Sequence, residues 1–112
     1  MNITIKTTNF KLTNAIREYV ENKLKSLYRH SGKLQIARIE LEFLETKHTG
    51  EKYRAEATVD APHAVYRAES TMTDLYASID TLIPKIVTQI EKNKEKSVSK
   101  NRKAQRELKA QQ

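Results

Sequence analysis

Hydrophobic and polar positions along this chain alternate with two periods, and the change from one to the other marks the elements. Ile3 and Ile5 alternate with polar neighbours across Asn2–Lys6, which predicts a short strand. Ile16, Val20, Leu24 and Leu27 then recur every three or four residues, the spacing of a helix with one apolar stripe. Thr13 precedes that run and is suited to cap it, because its hydroxyl can accept a free amide of the first turn. Arg29, His30 and Lys33 cluster where the helix should end, and Gly32 is expected to stop it.

Period two returns in Ile39, Leu41 and Phe43, against Arg38, Glu40 and Glu42. Leu34 and Ile36 are out of phase with that set, so a bulge or a strand start is expected near Ala37. Lys47-His48-Thr49-Gly50 should be a loop. Tyr53, Ala55, Ala57 and Val59 then alternate with charged residues, as do Ala64, Tyr66 and Ala68, with Asp60-Ala61-Pro62-His63 expected as the turn between them. From about Thr73 a second helical stripe runs through Leu75, Ile79, Leu82, Ile86 and Ile90. Pro84 falls inside it on the polar side, where a bend rather than a stop is expected.

The order β-α-β-β-β-α predicts an α+β sandwich, a four-stranded sheet with both helices on one face. Cross-strand ion pairs among Arg38, Glu40, Glu42, Lys52, Arg54, Glu56, Arg67 and Glu69 account for the other face without any ligand.

Charge changes the picture only when it is located. The 112 residues carry a net +7, but residues 1–91 hold 13 basic and 12 acidic side chains, whereas residues 92–112 hold 8 basic and 2 acidic. A folded domain over 1–96 and a basic, flexible tail over 97–112 are expected. The absence of cysteine excludes a disulfide scaffold, thiolate zinc sites and a cysteine nucleophile. No apolar run is long enough to span a bilayer, and the first residues lack a signal-peptide pattern, so a cytoplasmic protein without membrane attachment is expected.

Catalytic chemistry finds little support. His30, His48 and His63 fall in a helix end, a loop and a turn, and the two glycines cannot form a phosphate-binding loop. No enzyme activity, cofactor, metal or small-molecule substrate is therefore expected. The second helix is more informative, because Lys85, Gln89, Lys92 and Lys96 form one stripe beside its buried face. Lysines at this pitch can follow a nucleic-acid backbone without reading bases. Lys94 belongs to the same basic stretch, and Arg17, Lys23 and Lys25 add cations on the first helix. The residues alone thus point to a backbone-reading RNA or DNA binder, with a solvated helix face as the plain alternative.

Three stretches resemble the ribosome hibernation promoting factors, the family that includes the ribosome-associated inhibitor called protein Y. They are Thr13-Asn14-Ala15-Ile16-Arg17-Glu18-Tyr19-Val20, Ala55-Glu56-Ala57-Thr58-Val59 and Asp74-Leu75-Tyr76-Ala77-Ser78-Ile79-Asp80-Thr81-Leu82-Ile83, and the likeness extends over residues 2–96. The resemblance implies a shape similar to double-stranded-RNA-binding domains. It also implies binding to the small ribosomal subunit and its rRNA, over the mRNA and tRNA sites, so that translation is blocked in idle or stressed cells. It places RNA contacts at Arg17, Lys23, Lys85, Gln89, Lys92 and Lys96, with Lys25 standing in for a family lysine at the place of Ser26. Lys94, from the basic stretch, completes the expected RNA-binding set, and a monomer is expected away from the ribosome. Whether such a protein pairs ribosomes or silences single ones stays open here, as do the alternatives of a general duplex-RNA binder and a protein-interaction module.

Overall fold

The computed structural model describes residues 1–45 and 52–110, with side chains described as far as Lys94. Strand β1 (Asn2–Thr8) is followed by helix α1 (Asn14–Lys25) and a 3₁₀ turn (Ser26–Arg29). Strands β2 (Ile36–Phe43), β3 (Tyr53–Ala61) and β4 (Ala64–Met72) then lead to helix α2 (Leu75–Ala110). The sheet order is β1-β2-β3-β4, with β1 parallel to β2 and the other pairs antiparallel. The expected Lys47–Gly50 loop, His48 included, lies outside the described residues.

Both periodicities resolve into one core. Ala37, Ile39, Leu41, Ala55, Ala57, Val59, Tyr66 and Ala68 point from the sheet into a layer formed by Ile16, Val20, Leu24 and Leu27 and by Leu75, Ile79, Leu82, Ile86 and Ile90. Both helices therefore cover the same sheet face, and the alanines at the centre of that face let them approach closely. Ser78 is fully buried within this layer and donates from its hydroxyl to the Tyr53 carbonyl at 2.9 Å, which ties the first turns of α2 to β3.

The helix starts follow local chemistry. Thr13 Oγ1 accepts from the Ile16 amide at 3.2 Å, and an Asp74 carboxylate oxygen accepts from the Ala77 amide at 3.0 Å. The end of α1 differs from expectation. Gly32 takes no left-handed conformation; the chain tightens instead into the 3₁₀ turn, where the amides of His30 and Ser31 both reach the Leu27 carbonyl. That tightening keeps Leu27 fully buried. Strand β2 begins at Ile36 without a bulge at Ala37, with Leu34 buried and Ile36 on the open face.

The expected four-residue turn is also shorter than the sequence predicts. Asp60 and Ala61 remain in β3, and only Pro62 and His63 connect the strands. The Asp60 carboxylate is held on the open face by both oxygens, at 3.0 and 2.9 Å from Arg38 Nη2. Arg54 reaches Glu69 at 2.7 Å and Glu56 at 2.8 Å, so the cross-strand pairing predicted for this face is present.

Pro84 lies inside α2 with its ring exposed, so the carbonyl left without a helical donor belongs to Asp80, a solvent-facing residue. Helix α2 continues to Ala110, past the boundary at residue 96.

Candidate nucleic-acid interface

The two flanks of α2 differ in charge, and packing decides which cations stay available. One flank faces α1. There the Tyr19 hydroxyl donates to the Asp80 carboxylate, Lys23 Nζ lies 3.4 Å from the same carboxylate, and Lys23 stands 5.5 Å above the Tyr19 ring centre. Tyr76 meets Tyr19 edge to face, with ring centres 4.7 Å apart. Two to three turns further on, His30 Nδ1 lies 3.0 Å from Glu91 Oε1, and Lys94 Nζ lies 3.6 Å from that oxygen. Contacts from Tyr19 and Lys23 to Asp80, and then from His30 to Glu91, mean that the two helices run side by side in the same direction.

These partners shift the titration of the seam. The hydrogen bond to Asp80, then desolvation and the Asp80 charge, push the Tyr19 phenol up to about 12. The hydrogen bond to His30 is the largest cause holding the Glu91 carboxyl below its ordinary range, with Lys94 and the His30 charge adding to it against a desolvation penalty.

The opposite flank lies over β4, an edge strand of the sheet. The Arg67 amide donates to Gln89 Oε1 at 2.9 Å, and Gln89 Nε2 donates to the Arg67 carbonyl. Lys85 Nζ donates to the Glu69 carbonyl at 2.6 Å. The side-chain amide of Gln89 thus pairs with the strand as a neighbouring peptide unit would, and the outward edge of β4 is partly closed. Asn93 continues this line, donating from Nδ2 to the Tyr66 hydroxyl at 3.1 Å.

The structure therefore separates the cations grouped by the sequence. Lys23 and Lys94 sit at the seam beside acids, and Gln89 is engaged with the β4 backbone. Arg17 and Lys25 are exposed on α1, and Lys85 and Lys92 are exposed on the β4 flank; among the described residues none of these four forms a side-chain ion pair. Lys96 belongs to α2, beyond the last described side chain. Arg67 lends this flank only its backbone amide and carbonyl; its exposed side chain alternates with the buried Tyr66 and Ala68 and lies on the open sheet face near Glu56 and Glu69, as its spacing predicts. The helical positions of Asp80 and Glu91, eleven residues apart and away from Lys85, carried the signal that one flank would be neutralised.

Other chemistry is sparse. Among the described residues no three His, Cys, Asp or Glu side chains come together as a metal site. No helix among them is long and apolar enough to cross a membrane.

A mixed four-stranded sheet with two codirectional helices on one face defines a small α+β domain, here with cations concentrated on one flank of its second helix. This chain belongs to the Sigma 54 modulation protein / S30EA ribosomal protein family, whose model matches residues 3–98. It is 35% identical over 101 residues to the ribosome hibernation promotion factor of Picosynechococcus, covering 89% of this chain and 52% of that protein. The chain thus spans about half the length of the first curated relatives it matches. The ribosome hibernation promoting factor of Azotobacter vinelandii is nearer in length, 30% identical over 100 residues and covered to 89% on both sides. Among solved structures, the Protein Y N-terminal domain of Thermus thermophilus superposes with a TM-score of 0.70 at 36% identity, covering 82% of this chain and 98% of that one. A ribosomal subunit interface protein from Coxiella burnetii shares the fold, with a TM-score of 0.74 at 24% identity over 85% of this chain and 99% of that one.

Proposed function

We propose that this chain is a ribosome hibernation factor of the cytoplasm. On this reading it binds the small ribosomal subunit through rRNA and, by occupying the mRNA and tRNA sites, keeps idle ribosomes from translating. The family match over nearly the whole folded body carries the reading, since the relatives are named for ribosome hibernation. The mechanism needs no bond-making chemistry. A preformed wedge excludes competitors by occupying their space, and its cations meet phosphates without reading sequence. The protein works without a cofactor and is a monomer away from the ribosome.

Arg17, Lys25, Lys85 and Lys92 are the exposed cations best placed to meet phosphates. Lys85 also donates to the Glu69 carbonyl and would meet a phosphate with its remaining protons, whereas Lys23, Lys94 and Gln89 can contribute only by exchanging their intramolecular partners for RNA. The test is co-sedimentation with purified small subunits on sucrose gradients at two salt concentrations. Binding that engages about six to ten phosphates should weaken roughly 10³- to 10⁵-fold between about 50 and 200 mM salt. A chain that fails to co-sediment at the lower salt, or that binds without displacing mRNA, refutes the proposal.

A further inference from the structure

Among the described side chains of α2, Ile90 is the last one buried in the core, and the helix runs on to Ala110. Asn93 still meets Tyr66, and at about 1.5 Å per residue the stretch from there to Ala110 carries the helix roughly 25 Å further. The molecule's dimensions reflect this: its longest extent is 65 Å and its radius of gyration 17.9 Å, where a compact chain of this size would have about 13 Å. Residues 92–112 hold 8 of the 21 basic side chains of the protein.

On this helical backbone the positions of Lys92, Lys96, Lys100 and Lys103, spaced i, i+4, i+8 and i+11, share one side with Lys85. No acidic position interrupts that side from 85 to 103. At about 100° per residue Glu95 falls about 80° and Glu91 about 120° round from Lys85, to one side of the lysine line, and Glu91 is already held by His30 and Lys94. The cation line thus leaves the β4 flank and continues along the projecting helix for about 27 Å between residues 85 and 103.

We propose that this projecting arm is a second binding surface, for the phosphate backbone of duplex RNA, with Lys96, Lys100 and Lys103 as its contacts. The proposal rests on the ribosome-binding reading and extends it from the folded body to the arm. A helix holds its cations in a fixed row, which suits a ligand whose phosphates also stand in fixed rows. A single strand would call for stacking partners, and no aromatic residue follows Tyr76. A membrane surface would call for a continuous apolar face, and the arm offers only Val98, Ala104 and Leu108 away from the lysine line, with Ala110 on the lysine side.

The test compares two triple variants of the full chain that remove the same charge. One is Lys96→Gln/Lys100→Gln/Lys103→Gln, on the line; the other is Arg102→Gln/Arg106→Gln/Lys109→Gln, off it. Glutamine keeps helix propensity, and circular dichroism checks that both retain the wild-type helix signal. Binding to a plain RNA duplex of about 20 base pairs is followed by fluorescence anisotropy across a salt series, with purified small subunits in a parallel set. The on-line triple should flatten the slope of log affinity against log salt by about two to three and weaken duplex binding at least about tenfold, whereas the off-line triple should flatten it by less than about one.

Equal losses in both triples overturn the one-sided arm, leaving only bulk charge. No loss in either overturns the arm, and so does tighter binding of wild type to a glutamate-rich peptide than to the duplex. If duplex binding separates the triples while no form binds small subunits, the arm stands and the ribosome reading falls. If all forms bind small subunits and duplex alike, the arm falls and the ribosome reading stands.

Discussion

Gln89 separates two accounts of the same position. The family resemblance makes it an RNA contact, whereas the structure turns its amide onto the edge of β4, accepting from the Arg67 amide at 2.9 Å and donating to the Arg67 carbonyl. Gln89→Met keeps an unbranched chain of similar length and removes both polar atoms. A typical intramolecular hydrogen bond contributes about 0.5–1.5 kcal/mol net. Water can re-solvate an edge strand, so the two bonds together should be worth about 1–2 kcal/mol. Urea unfolding should show a lower midpoint at unchanged slope, and thermal unfolding should fall by roughly 5–12 °C. Amide exchange at Arg67 should quicken, because its N–H loses its partner. At temperatures where the variant remains folded, its affinity for small subunits should match wild type. A variant of wild-type stability, with Arg67 exchange unchanged and weaker subunit binding, would refute the edge role and return Gln89 to the RNA surface.

Two further outcomes follow from the seam and the core. Tyr19 should ionise near 12 in the folded protein and near 10 once unfolded, so its contribution to stability is complete below about pH 10 and is lost as pH rises toward 12. Asp80→Ala should bring the phenol back toward its ordinary value in an ultraviolet titration, with Tyr19→Phe identifying the signal; an unmoved titration would show that Asp80 is not the cause. Ile86 is fully buried beneath α2, and Ile86→Ala should cost about 2–5 kcal/mol in equilibrium denaturation. A loss below about 1 kcal/mol would mean that the helix is not seated on the sheet at that point.

The strands, the helices and the core were legible because burial repeats at two fixed periods. Ile39, Ala57, Tyr66 and Ile86 each fall on the side their spacing predicts. The cap of α1 was legible for a similar reason, since a cap joins residues three apart, as Thr13 does with Ile16. The end of α1 was not. Whether the chain stops on a left-handed glycine or tightens through a 3₁₀ turn depends on keeping Leu27 in the core, which is a tertiary demand. The cation set was legible as to residue type but not as to partner. Tyr19 and Asp80, like His30 and Glu91, are 61 residues apart, and helical spacing says nothing about which acid a neighbouring helix will present. Gln89 is ambiguous for the same reason: its place beside the apolar stripe fits a surface ligand and a neighbouring strand edge equally well.

Near-neutrality of the body therefore has a structural meaning that the count of 13 cations against 12 acids does not convey. Arg38 and Arg54 are taken up by Asp60, Glu56 and Glu69 on the open sheet face, and Lys23 and Lys94 sit beside Asp80 and Glu91 at the seam. Exposed pairs of this kind are screened by solvent and contribute too little to be what holds the fold together. Their larger effect is to cancel charge locally. In physiological salt the field of an exposed charge decays over about 8 Å, so a polyanion at contact distance meets the local set of side chains rather than the molecular total. Repulsion by unpaired acids is then weakest where described cations stand outside any side-chain ion pair, on the β4 flank at Lys85 and Lys92 and on α1 at Arg17 and Lys25. Pairing elsewhere in the fold is what gives those few cations a direction, and a phosphate backbone approaching this molecule would be oriented by them rather than by its net +7.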